Sequence, residues 1–118
     1  MDKYFLGIDV GTSALKLLVM DAGLRSLAWA SRTYSAVHPR KGWSELPAGQ
    51  IWQALRTGVE ELAGRVDLGQ VAGIGFSCLC PGLTALDEDG GVLCDPIIHN
   101  DQRSRAESWQ LRQRMAAE

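Results

Sequence analysis

A carboxylate, a glycine, two hydroxyls and an amine share one short stretch near the amino terminus, Asp9-Val10-Gly11-Thr12-Ser13-Ala14-Leu15-Lys16. Glycine lets the backbone turn tightly, and the amides and hydroxyls that follow point into such a turn, where they suit an oxyanion. These are the ingredients of a cradle for the terminal phosphates of a nucleotide. The spacing differs from the Walker fingerprint and from the dinucleotide fingerprint, both of which fix glycines at other intervals. The same residues also serve a plain hairpin in which Gly11 and Thr12 satisfy the turn and Asp9 ends a strand.

The elements that must position this turn can be read on either side of it. Tyr4 to Asp9 and Leu15 to Met20 have the composition of strands, so the turn residues join a hairpin. Asp21-Ala22-Gly23 makes a second turn, and Ser26 to Tyr34 alternates Leu27, Trp29 and Ser31 against smaller or polar neighbours, which predicts a three-stranded antiparallel meander. His38, Pro39, Lys41 and Gly42 break periodicity over 35–45 and predict a surface loop, with His38 a loop residue. Pro47 opens a helix whose apolar face is Ile51, Trp52, Leu55, Val59 and Leu62, and Gly64 stops it. Val71 to Ser77 and Leu83 to Asp87 read as strands, Asp89-Gly90-Gly91 as a turn and Pro96-Ile97-Ile98 as a short sixth strand. From Arg103 the residues favour helix, with Ser104 and Glu107 at capping-box spacing, and the absence of a glycine or proline stop after Arg112 predicts a chain cut from something longer. Trp29, Trp52 and Trp109 are expected in the core. Strands, helix, strands, helix, with an acidic residue ending the first strand, is the order of one lobe of an actin-like, ribonuclease H-like α/β fold, its mixed sheet flanked by helices.

Composition narrows the partners. With 118 residues and 46% hydrophobic content the chain supports one domain, and a formal charge of −2 supplies no basic field for nucleic acid. No apolar run reaches the length of about 18 residues that a bilayer requires, so a cytoplasmic location with no membrane partner is expected. Cys78, Cys80 and Cys94 fit neither a disulfide framework nor a zinc knuckle and are expected to be small buried residues.

Four segments together resemble the FGGY carbohydrate kinases. Gly7-Ile8-Asp9-Val10-Gly11-Thr12-Ser13 with Lys16 is similar to the family's first phosphate motif. Gly42-Trp43-Ser44-Glu45 with Pro47 and Trp52 is similar to its tryptophan-serine-glutamate segment, and Gly73-Ile74-Gly75-Phe76-Ser77 to the strand that leads to its sugar site. Pro96 to Ser104 resembles the segment in which an aspartate and an arginine follow a tryptophan. The match runs nearly end to end and in order. The resemblance implies ATP-dependent phosphorylation of a sugar, sugar acid or polyol, in a cytoplasmic enzyme with a homodimer as its candidate assembly. The chain, 1–118, is then the first part of the amino-terminal lobe. Asp9 would hold magnesium through water, Gly11, Thr12 and Ser13 would bind the transferring phosphoryl group, and Lys16 would add positive charge. The general base, an aspartate later in the same lobe, and the adenosine site in the second lobe have no match in these residues, so this stretch alone is expected to be inactive.

Two departures bear on the substrate. Cys80-Pro81 stands where xylulokinases of the family carry a methionine-histidine pair, and His99 stands where a tryptophan usually covers the sugar. Leu79 and Cys80, with His99, Asn100 and Asp101, would still form a pocket edge able to bind a polyol or ketose; His99 is equally an ordinary pocket-wall residue. Two other readings share the fold: a chaperone-type or actin-like ATPase lobe, which Trp43 and the Asn100 to Arg103 segment oppose, and a binding module that has lost catalysis.

Overall fold

The structure is a computed structural model that describes residues 3–116. Three strands open it, β1 (Tyr4–Val10), β2 (Ala14–Asp21) and β3 (Ser26–Thr33), each antiparallel to the one before. Helix α1 (Ala48–Ala63) crosses over and returns the chain as β4 (Val71–Cys78), which lies parallel to β1, so the sheet order is β3-β2-β1-β4. A separate hairpin follows, β5 (Gly82–Leu86) and β6 (Val92–Ile98), and then helix α2 (Arg105–Met115). Mixed sheet, opening meander and helices stand as the sequence predicts, with β6 longer than the short strand expected.

Strand alternation divides the sheet into two faces. Leu6 and Ile8 of β1, Leu15, Leu17 and Val19 of β2, and Ala28 and Ala30 of β3 are buried beneath Ala54, Gly58 and Leu62 of α1. A Cβ at Gly58 would collide with the Leu17 side chain, so the glycine sets how closely helix and sheet approach. That closeness corrects the expected face of β3. The small alanines turn inward, while Leu27 and Trp29 face the open side, where Trp29 is 64% exposed. Trp52 lies beside the buried stripe of α1, and Trp109 lies on a helix with no buried residue, so neither is core. Cys78 and Cys80 are exposed and Cys94 is half-buried, against the expectation that all three are interior.

The start of α1 is capped from afar. Pro47 precedes the helix, and the free Ala48 amide donates to the Asp95 carboxylate of β6 at 2.9 Å. Gly64 does end the helix, in a right-handed conformation. At α2 the Ser104 side chain makes no capping bond, so the expected capping box does not form; Glu107 in the first turn and Arg112 and Arg114 in the last still complement the helix dipole. Among the described residues no helix is long and apolar enough to cross a membrane.

Candidate functional site

The turn between β1 and β2 is closed by the Gly11 amide donating to the Ala14 carbonyl at 3.0 Å. A Cβ on Gly11 would sit 2.9 Å from that carbonyl oxygen, which explains why glycine is needed. The Gly11 amide is thereby spent on the turn and is not free for a ligand. Thr12 and Ser13 are exposed and carry the donors.

Asp9 and Lys16 are register partners across β1 and β2 and lie on the face away from α1. Both are exposed, and among the described residues neither forms an ion pair. They stand at the rim of an open groove of about 700 Å³ whose floor includes Gly7 and Gly75 and whose walls include Trp29 and Phe76. An exposed oxygen donor without a competing cation suits a hard ion such as magnesium, held by one carboxylate and completed by water. Among the described residues no cluster of three acidic, histidine or cysteine residues exists.

The second group of predicted residues is tied to the end of β1. The Leu79 amide donates to the Val10 carbonyl at 2.8 Å, which places Leu79 and Cys80 directly beside the strand end that carries Asp9. Leu79 packs against the core and Cys80 is exposed. Gly82 pairs with Ile98, so the start of β5 brings the end of β6, and with it exposed His99 and Asn100, alongside. The 79–82 segment therefore lies at the end of β1 that leads into the turn, and the 98–101 segment is joined to it through the Gly82–Ile98 pairing.

Asp101 is employed differently from its neighbours. Its side chain is only 4% exposed and accepts from the Ser44 amide at 2.6 Å, from the Arg103 amide at 2.9 Å and from the Arg103 guanidinium at 2.8 and 2.9 Å. The guanidinium hydrogen bonds, foremost, hold its carboxyl far below the usual carboxylate range. Arg103 also reaches Glu45 at 2.7 Å and stacks 3.8 Å over the Trp43 ring, which Arg40 approaches from 4.9 Å. Together with Gln102 donating to Gly42 and Leu46 donating to Pro96, these bonds clasp the 42–46 loop to the segment that carries His99. Sequence reasoning placed Trp43, Glu45 and Arg103 in matched segments and missed that they bind one another; an acid, an arginine and an aromatic in two loops is a signal for such a clasp.

Residues 4–118 match the FGGY family of carbohydrate kinases, N-terminal domain. The chain belongs to that family. It is 30% identical over 112 residues to a xylulose kinase of Staphylococcus xylosus, covering 95% of this chain and 23% of that protein. A xylulose kinase of Bacillus subtilis is 33% identical over 104 residues, covering 86% and 21%. Among solved structures, gluconate kinase from Lactobacillus acidophilus superposes with a TM-score of 0.88 at 26% identity, covering 97% of this chain and 23% of that one. The ligand-bound xylulose kinase of the same organism gives 0.86 at 27%, covering 95% and 23%. The FGGY chain thus spans about a quarter of the length of the relatives it resembles.

Proposed function

We propose that the full-length protein transfers the terminal phosphoryl group of ATP to a hydroxyl of a sugar, sugar acid or polyol. On this reading residues 1–118 form the first part of its amino-terminal lobe. The observation that supports the reading is the exposed Gly11–Ser13 turn following the Asp9 carboxylate at the end of β1, to which the Leu79 amide ties the 79–82 segment and, through the Gly82–Ile98 pairing, the 98–101 segment. Family membership and the names of the relatives, xylulose and gluconate kinases among them, agree with it.

In this scheme Thr12 and Ser13 donate hydrogen bonds to phosphate oxygens and Lys16 supplies a fixed positive charge beside them. Asp9 would hold magnesium, which when bound neutralises charge on the phosphates. Leu79, Cys80, His99 and Asn100 line the sugar side, and Asp101, its oxygens already engaged, positions His99 and Asn100 through the clasp with Arg103. Cys80-Pro81 and His99 replace groups that xylulokinases use, so we place xylulose outside the preferred substrates. Proline brings no side-chain polar group to recognise a hydroxyl, which leaves discrimination to His99 and Asn100.

A panel of pentuloses, hexonates and polyols with MgATP tests the scheme in the full-length enzyme. Turnover of at least one of them is expected, with Asp9→Ala losing most of kcat while the melting temperature moves little, because an exposed carboxylate at a strand end has no core role. Near-normal turnover in Asp9→Ala, or xylulose winning the panel by a wide margin, contradicts the corresponding part.

A further inference from the structure

Tyr34 lies immediately after β3 and is 7% exposed, its ring packed in the core beneath the first hairpin. Its backbone amide donates to the Ser13 carbonyl at 3.0 Å, and its hydroxyl donates to the Gly11 carbonyl at 2.6 Å. One residue therefore grips both shoulders of the turn. In a trans peptide the carbonyl and the following N–H point in opposite directions within one rigid plane. Fixing the Gly11 oxygen on the buried, Tyr34 side consequently aims the Thr12 N–H the other way, toward solvent, and Thr12 is exposed. The closing bond from Gly11 to Ala14 prevents the turn from relaxing by another route.

We propose that Tyr34 is a positioning residue for the phosphate turn: its hydroxyl holds the Gly11 carbonyl and so presents the Thr12 amide to the incoming phosphate. This rests on the reading of the turn given under the proposed function. Burial foremost, then the nearby Asp9 and Cys78 charges, raises the Tyr34 phenol above its ordinary value, so it stays a proton donor throughout the physiological range. No other side chain contacts the Gly11 carbonyl through a hydrogen bond among the described residues.

Tyr34→Phe in the full-length enzyme keeps the ring and the backbone bond to Ser13 and removes only the hydroxyl. Two readouts separate the brace from the activity. Amide exchange of Gly11, measured by NMR or mass spectrometry on protein without nucleotide, is expected to quicken about tenfold, the scale of one lost hydrogen bond, while amides of α1 are unchanged. Steady-state kinetics is expected to show kcat/KM for ATP falling about tenfold with the sugar KM unchanged. A purely structural tyrosine would instead lower the melting temperature and leave the kinetic constants of the folded fraction alone, and that result overturns the proposal. Unchanged Gly11 exchange overturns it as well. Faster exchange in a protein whose wild type phosphorylates no member of the panel shows that the brace exists and that the phosphate role, with the functional reading beneath it, is wrong. If Tyr34→Phe does not fold, 4-methylphenylalanine at position 34 fills the hydroxyl's space without a donor and carries both readouts.

Discussion

At the scale of single residues, this protein separates groups that bind from groups that hold the binders. His99 and Asn100 are exposed at the site edge, whereas Asp101, next in sequence, is buried with its oxygens taken. In this run of three polar residues type alone does not separate the engaged side chain from the exposed ones; the division comes from Arg103, two residues on, and from the Ser44 amide, 57 residues away in sequence. On the proposed reading His99 bears the recognition role. Its replacement, His99→Ala, is expected to lower kcat/KM for the best substrate roughly tenfold, the effect of losing one hydrogen bond of about 1.5 kcal/mol, and unchanged kinetics would remove His99 from the site. Asp101 bears a stability role with a definite pH signature. Its carboxyl is held below its ordinary value in the fold, so the stabilisation is complete above the unfolded value near about pH 4 and is lost as pH falls further. Acid unfolding of the 118-residue chain followed by circular dichroism should show that loss, and Asp101→Asn should flatten the curve below about pH 4 while lowering stability at neutral pH. A variant with the wild-type acid profile would show that the clasp does not couple to folding.

At the scale of elements, the meander, the covering helix, β4 and the second helix were all legible, because period-2 and period-3.6 patterns and the Gly-rich turns declare themselves locally. What the sequence hid was which face of each element is inward. The large residues of β3, Leu27 and Trp29, were the natural choice for the core, but Gly58 lets α1 approach so closely that only Ala28 and Ala30 fit between. Close approach is a property of two elements at once and cannot be seen in either alone. Gly58→Val should therefore overpack the interface with Leu17 and cost about 1–3 kcal/mol in denaturant unfolding, even though valine is the better helix former. The cap of that helix was hidden for the same reason. Asp95 lies 47 residues from the Ala48 amide it accepts from. Asp95→Ala should cost about 1 kcal/mol, as removal of a helix cap does, and no loss would mean that water satisfies the amide equally well.

At the scale of the whole molecule, the radius of gyration is 18.6 Å, against about 13 Å for a closed domain of this length. The excess lies in the open groove face of the sheet, the β5–β6 hairpin and α2. Trp29, Ile74, Phe76 and Trp109 are each more than half exposed, as are Leu83, Leu93 and Leu111, so large apolar side chains meet solvent on the sheet, on the β5–β6 hairpin and on α2. Relatives such as the Staphylococcus xylosus xylulose kinase are matched over only 23% of their length. The turn, for its part, presents Thr12 and Ser13 to solvent, and Lys16 is exposed as well. A handful of exposed donors in high-dielectric surroundings cannot hold a hydrated triphosphate firmly, since each bond made to phosphate replaces one made to water. The 118-residue chain by itself should accordingly bind the dye anilinonaphthalene sulfonate, bind MgATP no more tightly than about 1 mM by calorimetry, and phosphorylate no sugar. Submillimolar binding or measurable turnover by the pure chain would mean that the edge formed by the Gly11–Ser13 turn, Cys80 and His99 is sufficient for catalysis on its own.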